Sequence, residues 1–255
     1  MGVLSSTTLM AQAPATEEAI SLARATATLG VGCHVVLVDG DPVLPPAKIP
    51  TLTDPRTGRF HPTLGSFLQR HLTGRIRSAE IEAEAAAQIA FLQSRGLYLT
   101  HVDTHKHTHI FPSVLRPVLR AAAAAGIHTV RNPFEPPWSR RATPCGSWMR
   151  RSEVSLLRGL EPTFRSIVAR AGFTTTDGAI GVLATGSLDI PTLRSLLINL
   201  RSGIWELVTH PGYHDADLDH AHTRLLASRE TERAVLQTLK NFPDIHPISF
   251  THLRS

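Results

Sequence analysis

The chain has 255 residues, 42% hydrophobic and 18% charged, with a formal net charge of +5. That is the profile of a globular protein with ample length for a core rather than of a disordered chain. Its two cysteines, Cys33 and Cys145, make no disulfide framework or zinc knuckle and fit a reducing, cytoplasmic setting.

No apolar run approaches the roughly 20 residues that span a bilayer, and no charged-then-apolar signal peptide opens the chain. The positive charge is scattered, with short concentrations only at Arg140-Arg141 and Arg150-Arg151, and aromatics are 5%. That gives no stacking platform for nucleic acid, which is not expected as a partner.

In chain order, residues 2–10 are rich in β-branched residues and predict a strand. A helix over 16–29 follows, with Glu17 and Glu18 where the helix dipole favours acids. Residues 30–38 form a near-continuous apolar run interrupted by His34, as in a parallel-sheet strand buried on both faces. The Pro-rich loop 41–64 has the length of a functional or disordered loop. Helices are predicted over 65–72 and 78–95. The second has Ser78 as its N-cap, Gly96 as its stop and Ile81, Ala85, Ile89 and Leu92 as its apolar stripe.

Beyond a strand at 97–103 comes a helix at 113–125, with Pro117 in its first turn or at a kink. A short strand at 127–131 and a second Pro-rich loop at 132–147 follow. Residues 151–172 read as mostly helical, 179–184 as a strand, 189–200 as a helix and 204–209 as a strand ending at His210. A helix at 223–239 and a terminal strand at 248–250 complete the pattern. The acidic run from His214 to His222 lacks the glycine and distal glutamate of a calcium loop and reads as solvated. Alternating strands and helices predict a parallel sheet, open or closed into a barrel, with chemistry at the C-terminal strand ends.

One stretch stands apart. His101, Asp103, His105, His107 and His109 occupy every odd position of a short segment. In an extended chain they would share one face, and such a face must line water, a metal or a substrate. Same-face neighbours on a strand are roughly 6–7 Å apart, so one ion could take only one or two of them, and further ligands must come from elsewhere.

Three blocks carry a resemblance: Gly32-Cys33-His34-Val35-Val36-Leu37, Thr100 to His109, and Leu207-Val208-Thr209-His210-Pro211-Gly212-Tyr213. Together they resemble the YdjC-like carbohydrate deacetylases, which include chito-oligosaccharide deacetylase and the hopanoid-associated enzymes. Val130 to Pro133 and Glu135-Pro136-Pro137 lean toward the hopanoid-associated branch.

The resemblance implies an α/β fold, an irregular (β/α) barrel of the glycoside hydrolase/deacetylase type, as one domain over residues 1–255. It implies a divalent ion, Mg2+ or Zn2+, held by His34 and His105, with His210 and Asp103 catalytic. Arg131, His107 and His109 would bind the substrate. The implied reaction removes an acetyl group from an N-acetylated amino sugar, in an oligosaccharide or glycolipid, and a homodimer is compatible with it. In the family a first strand ends in an Asp-Asp pair that supplies a metal-binding carboxylate and a general base. Here residues 2–10 resemble the second strand, so the expectation is a barrel lacking its first strand, truncated at the N terminus. The alternative is a catalytically inactive sugar- or metal-binding barrel.

Overall fold

The computed structural model describes residues 3–144, 155, 157–219, 223–242 and 245–253. The chain divides into two compact units, one of residues 4–131, 162–174 and 248–255, the other of 1–3, 132–161 and 175–247. Cys145, Arg150-Arg151, the predicted helix start at 151, and His220 and His222 lie outside the described residues.

In the first unit, strands β1 (Ser6–Leu9), β2 (Gly30–Val35) and β3 (Leu99–Thr104) pair in parallel in the order β1-β2-β3. Helix α1 (Thr16–Ala25) connects the first two, and α2 (Leu64–Leu72) and α3 (Ser78–Ser94) precede the third. Parallel bridges Val102↔Val130 and Thr129↔Thr174 continue the pairing beyond β3. Helices α4 (Pro112–Ala124) and α6 (Glu161–Arg170) lead into those segments. Gly32 is required by close packing: a Cβ there would lie 2.6 Å from His101 Cε1 and 2.7 Å from the His101 carbonyl oxygen.

Helix α3 shows how the unit is bound together. Its apolar stripe, Ile81, Ala85, Ile89 and Leu92, is fully buried, as the 3.6-residue period predicts. A second buried stripe, Glu80, Glu84 and Gln88, repeats every four residues. Glu80 accepts from Thr51 N at 2.7 Å, and Glu84 from Val43 N at 2.8 Å and Leu44 N at 3.0 Å. Gln88 accepts from Val36 N at 2.8 Å and donates to Val36 O at 2.7 Å. The Pro-rich loop is therefore ordered, and β2 ends at Val35 rather than residue 38 because Gln88 takes both backbone groups of Val36. The N-cap of α3 is Arg77 rather than Ser78, with no side-chain cap, while Thr51 Oγ1 accepts from Arg77 N. Pro117 lies inside α4, beyond its first turn.

The second unit pairs β4 (Gly178–Ile180) with β5 (Trp205–Leu207), again in parallel. Its helices are α5 (Pro137–Ala142), α7 (Ile190–Ile198), α8 (Ala216–Asp219) and α9 (Ser228–Gln237). Ala184, Leu188, Leu193, Leu196 and Val235 form its core. The strand predicted over 179–184 stops at Ile180 because the buried Glu135 carboxylate accepts from Gly181 N at 3.2 Å and Leu183 N at 2.7 Å. Asp189 caps α7 by accepting from Thr192 N.

The fold is thus α/β with parallel strands, and among the described residues neither sheet closes into a barrel. The terminal strand expected at 248–250 does not form. Ser5 Oγ donates to Ile248 O at 2.6 Å and Ser6 Oγ accepts from Phe250 N at 3.0 Å, and the chain then turns through Phe250–Leu253. Side-chain hydroxyls take the backbone groups that a ladder would have used.

Candidate metal centre and active site

The β2–β3 register places His34 beside Asp103. Asp103 Oδ1 accepts from His34 Nδ1 at 2.7 Å, and Oδ2 takes the Arg131 guanidinium. Asp103 is fully buried. Burial raises a carboxyl pKa, but Arg131 and His34 outweigh it and hold Asp103 well below the usual carboxylate range. The acidic partner fixes the proton of His34 on Nδ1 and leaves a lone pair on Nε2. Facing that lone pair is His105 Nδ1 at 3.4 Å, with the two rings 75° apart in plane. Two imidazole nitrogens bound tetrahedrally to one ion at about 2.0–2.1 Å are ~3.4 Å apart. The pair therefore fits a shared divalent ion. Burial and His34 push the His105 pKa down to about 4, which keeps it neutral, as a ligand must be. Among the described residues no group of three His, Cys, Asp or Glu side chains is arranged to hold a metal.

His105 reaches this position because β3 ends. Lys106 and His107 have φ of 53° and 52°, a left-handed conformation costing non-glycine residues roughly 1–2 kcal/mol each. Their surroundings hold them there. Thr104 Oγ1 accepts from His109 N at 2.9 Å and from Thr108 Oγ1 at 3.0 Å. Its own proton then goes to His109 Nδ1 at 2.7 Å, and His109 Nε2 donates to Arg131 O at 3.2 Å. Lys106 Nζ donates to Asp39 Oδ2 at 3.1 Å, and Asp39 also has a positive φ.

The five alternating residues consequently do not share one strand face. Only His101 and Asp103 lie on β3; His105, His107 and His109 lie in the tight turn that follows. His109 has no exposed surface and both its ring nitrogens are committed, so it braces Arg131 and Thr104 from behind rather than facing a substrate. His107 is half-buried, with Nδ1 lacking a partner among the described residues. Burial and His109 push its pKa to about 3. His101 is a core residue, its ring stacked on Phe250 and Nδ1 donating to Thr100 Oγ1 at 2.8 Å. Arg131 is the cation that neutralises Asp103.

Cys33 is fully buried beside this cluster, and burial with the Asp103 charge raises its thiol pKa, which makes it inert.

His210 belongs to the other unit. It follows β5, and its backbone N donates to Glu232 Oε2 at 2.6 Å, while Glu232 Oε1 accepts from Gly186 N at 3.2 Å. Sequence reasoning missed Glu232, Thr104 and the Asp39–Lys106 pair. Glu232 carried a signal: it sits on the buried stripe of α9 with Val235 and Leu236, where an acid needs a partner.

A profile of the YdjC-like protein family matches residues 1–241. A carbohydrate deacetylase of Brevibacillus brevis is 32% identical over 215 residues, covering 84% of this chain and 72% of that one. One from Thermoanaerobacter pseudethanolicus is 28% identical over 235 residues, 92% of this chain and 80% of that one. A human carbohydrate deacetylase is 28% identical over 225 residues, with coverages of 83% and 67%. A solved structure from Enterococcus faecalis V583, named there as a cellobiose-phosphate cleavage protein, shares the fold. Its TM-score is 0.69 at 22% identity, over 94% of this chain and 83% of that one. Matched by the profile along nearly its whole length, the chain belongs to the YdjC-like family.

Proposed function

We propose that the protein is a metal-dependent carbohydrate deacetylase that removes the acetyl group from an N-acetylated amino sugar of an oligosaccharide or glycolipid. The irregular (β/α) barrel of that enzyme class is part of the same reading. The observation that carries it is the facing pair His34 Nε2 and His105 Nδ1, 3.4 Å apart, with Asp103 behind His34. The names of the relatives support the reaction class.

His34 and His105 would hold the ion, and when bound it would polarise the acetyl carbonyl and acidify a water. Imidazole nitrogens suit Zn2+ better than Mg2+, which prefers oxygen ligands. Asp103 has both oxygens engaged, so its catalytic part is to orient His34 through Nδ1 and turn Nε2 toward the ion. Arg131 keeps Asp103 ionised. His210 would donate a proton to the departing amine nitrogen, a role worth about 10²–10⁴ in rate. A second reading, a non-catalytic sugar- or metal-binding protein, is favoured by one observation: the described residues bring no third donor to the two histidines.

The deciding experiment loads the protein with Zn2+ or Mg2+ and measures acetate release from N-acetylglucosamine oligomers and N-acetylated glycolipids. Acetate release that a chelator abolishes and Zn2+ restores is expected. His210→Ala should lower kcat far more than it raises KM. Sugar and metal binding without acetate from any substrate would replace this reading with the second.

A further inference from the structure

The segment after β5 presents an aromatic ring that the chemistry above does not use. Tyr213 is one of two tyrosines in the chain and is 67% exposed. An exposed ring on a loop ordinarily moves freely, but α9 grips this loop residue by residue. Glu232 holds His210 N, Arg229 O accepts from Gly212 N at 3.3 Å, and Glu230 Oε1 accepts from His214 N at 3.2 Å. The His214 ring is tied to Asp219 at 2.6 Å. Arg229, Glu232 and Arg233, spaced i, i+3, i+4, share one face of α9. The Arg233 guanidinium lies 4.6 Å from the Tyr213 ring centre, within cation–π range. One face of the ring is thus backed by the protein, and the other is left to solvent, three residues from His210.

A rigid, half-wet aromatic face suits a ligand that is apolar on one side and polar at its rim. A pyranose ring has that form: its axial C–H groups make an apolar patch and its hydroxyls surround it. We propose that Tyr213, backed by Arg233, is a stacking platform for a pyranose ring of the substrate, an inference that rests on the deacetylase reading. The platform binds sugar and takes no part in proton transfer. It would sort substrates by whether a ring can lie flat against Tyr213.

The test compares wild type, Tyr213→Ala, Tyr213→Phe and Tyr98→Ala, the last removing an equally exposed tyrosine (68%) elsewhere. Each is titrated with N-acetylglucosamine and its β-1,4-linked di- and trisaccharides by calorimetry, and acetate release is followed in parallel. Tyr213→Ala should weaken binding and raise KM by about tenfold with kcat little changed. Tyr213→Phe, which keeps the ring face, should stay within about threefold of wild type, and Tyr98→Ala should match it. An active wild type with Tyr213→Ala unchanged in Kd and KM overturns the platform alone, as does a loss confined to kcat. A wild type that neither binds nor deacetylates any of these sugars overturns the deacetylase reading, and the platform with it.

Discussion

At the end of β2, His34 is fixed through its ring: Asp103 takes Nδ1, and Arg131 holds Asp103. After β5, His210 is fixed through its main chain, by Glu232 on a neighbouring helix. The two kinds of restraint suit different work. A ring held by a buried carboxylate is locked in one tautomer and offers a constant lone pair, as metal binding requires. A main-chain bond settles where a histidine stands, the positioning that proton transfer to a substrate requires.

The sharpest way to break the first half of that comparison is Asp103→Ala. It leaves Arg131 and His34 without their buried partner, which should cost about 3–5 kcal/mol of stability and about 10–100-fold in metal affinity. Denaturant unfolding and metal titration read the two effects, and Asp103→Asn should fall between. A loss under about 1 kcal/mol would place Asp103 outside the structural network.

Glu232→Ala tests the second half. It strips the acceptor from Gly186 N and His210 N, at about 1–3 kcal/mol for each orphaned donor. Glu232→Gln keeps one acceptor oxygen and should recover part of both stability and kcat, while metal affinity stays at the wild-type level. A metal-affinity loss in Glu232→Ala matching that of Asp103→Ala would erase the distinction between the two restraints.

Acid separates bracing histidines from surface ones. Burial drives the pKa of His101 to about 3 and of His109 to about 4, from 6.5 in the unfolded chain. Their folded pKa values lie below the unfolded ones, so below pH 6.5 the unfolded state binds more protons. Stability from these rings is complete above pH 6.5 and declines as the pH falls toward 4 and 3, by roughly 1.4 kcal/mol per pH unit for each ring. Asp103, also depressed, adds a loss only below its unfolded value of 3.8. Melting temperatures should drop steadily from pH 6.5 to 4.5; a flat profile would mean the rings are solvated.

How much of this was legible in the sequence depends on where the partner sits. The alternation of strands and helices gave the α/β class, and the apolar run around His34 gave the central strand. The odd-position histidines marked a buried polar cluster at the end of β3, but through the wrong geometry. A period-two pattern assumes an extended chain, and Thr104 ends the strand by binding residues four and five positions on. Strand ends were misjudged for a non-local reason: Gln88 and Glu135 capture backbone groups of distant segments. The four-residue spacing of Glu80, Glu84 and Gln88 was visible, yet what they hold was not. His34 and Asp103 meet only through strand register, which no spacing along the chain reveals.

The sharing of one ion by two imidazoles is tested directly by calorimetric titration of Zn2+ into metal-free wild type, His34→Ala, His105→Ala and His109→Gln. One tight equivalent in wild type is expected, lost in His34→Ala and His105→Ala and retained in folded His109→Gln. Full stoichiometry at wild-type affinity in both His34→Ala and His105→Ala would contradict it.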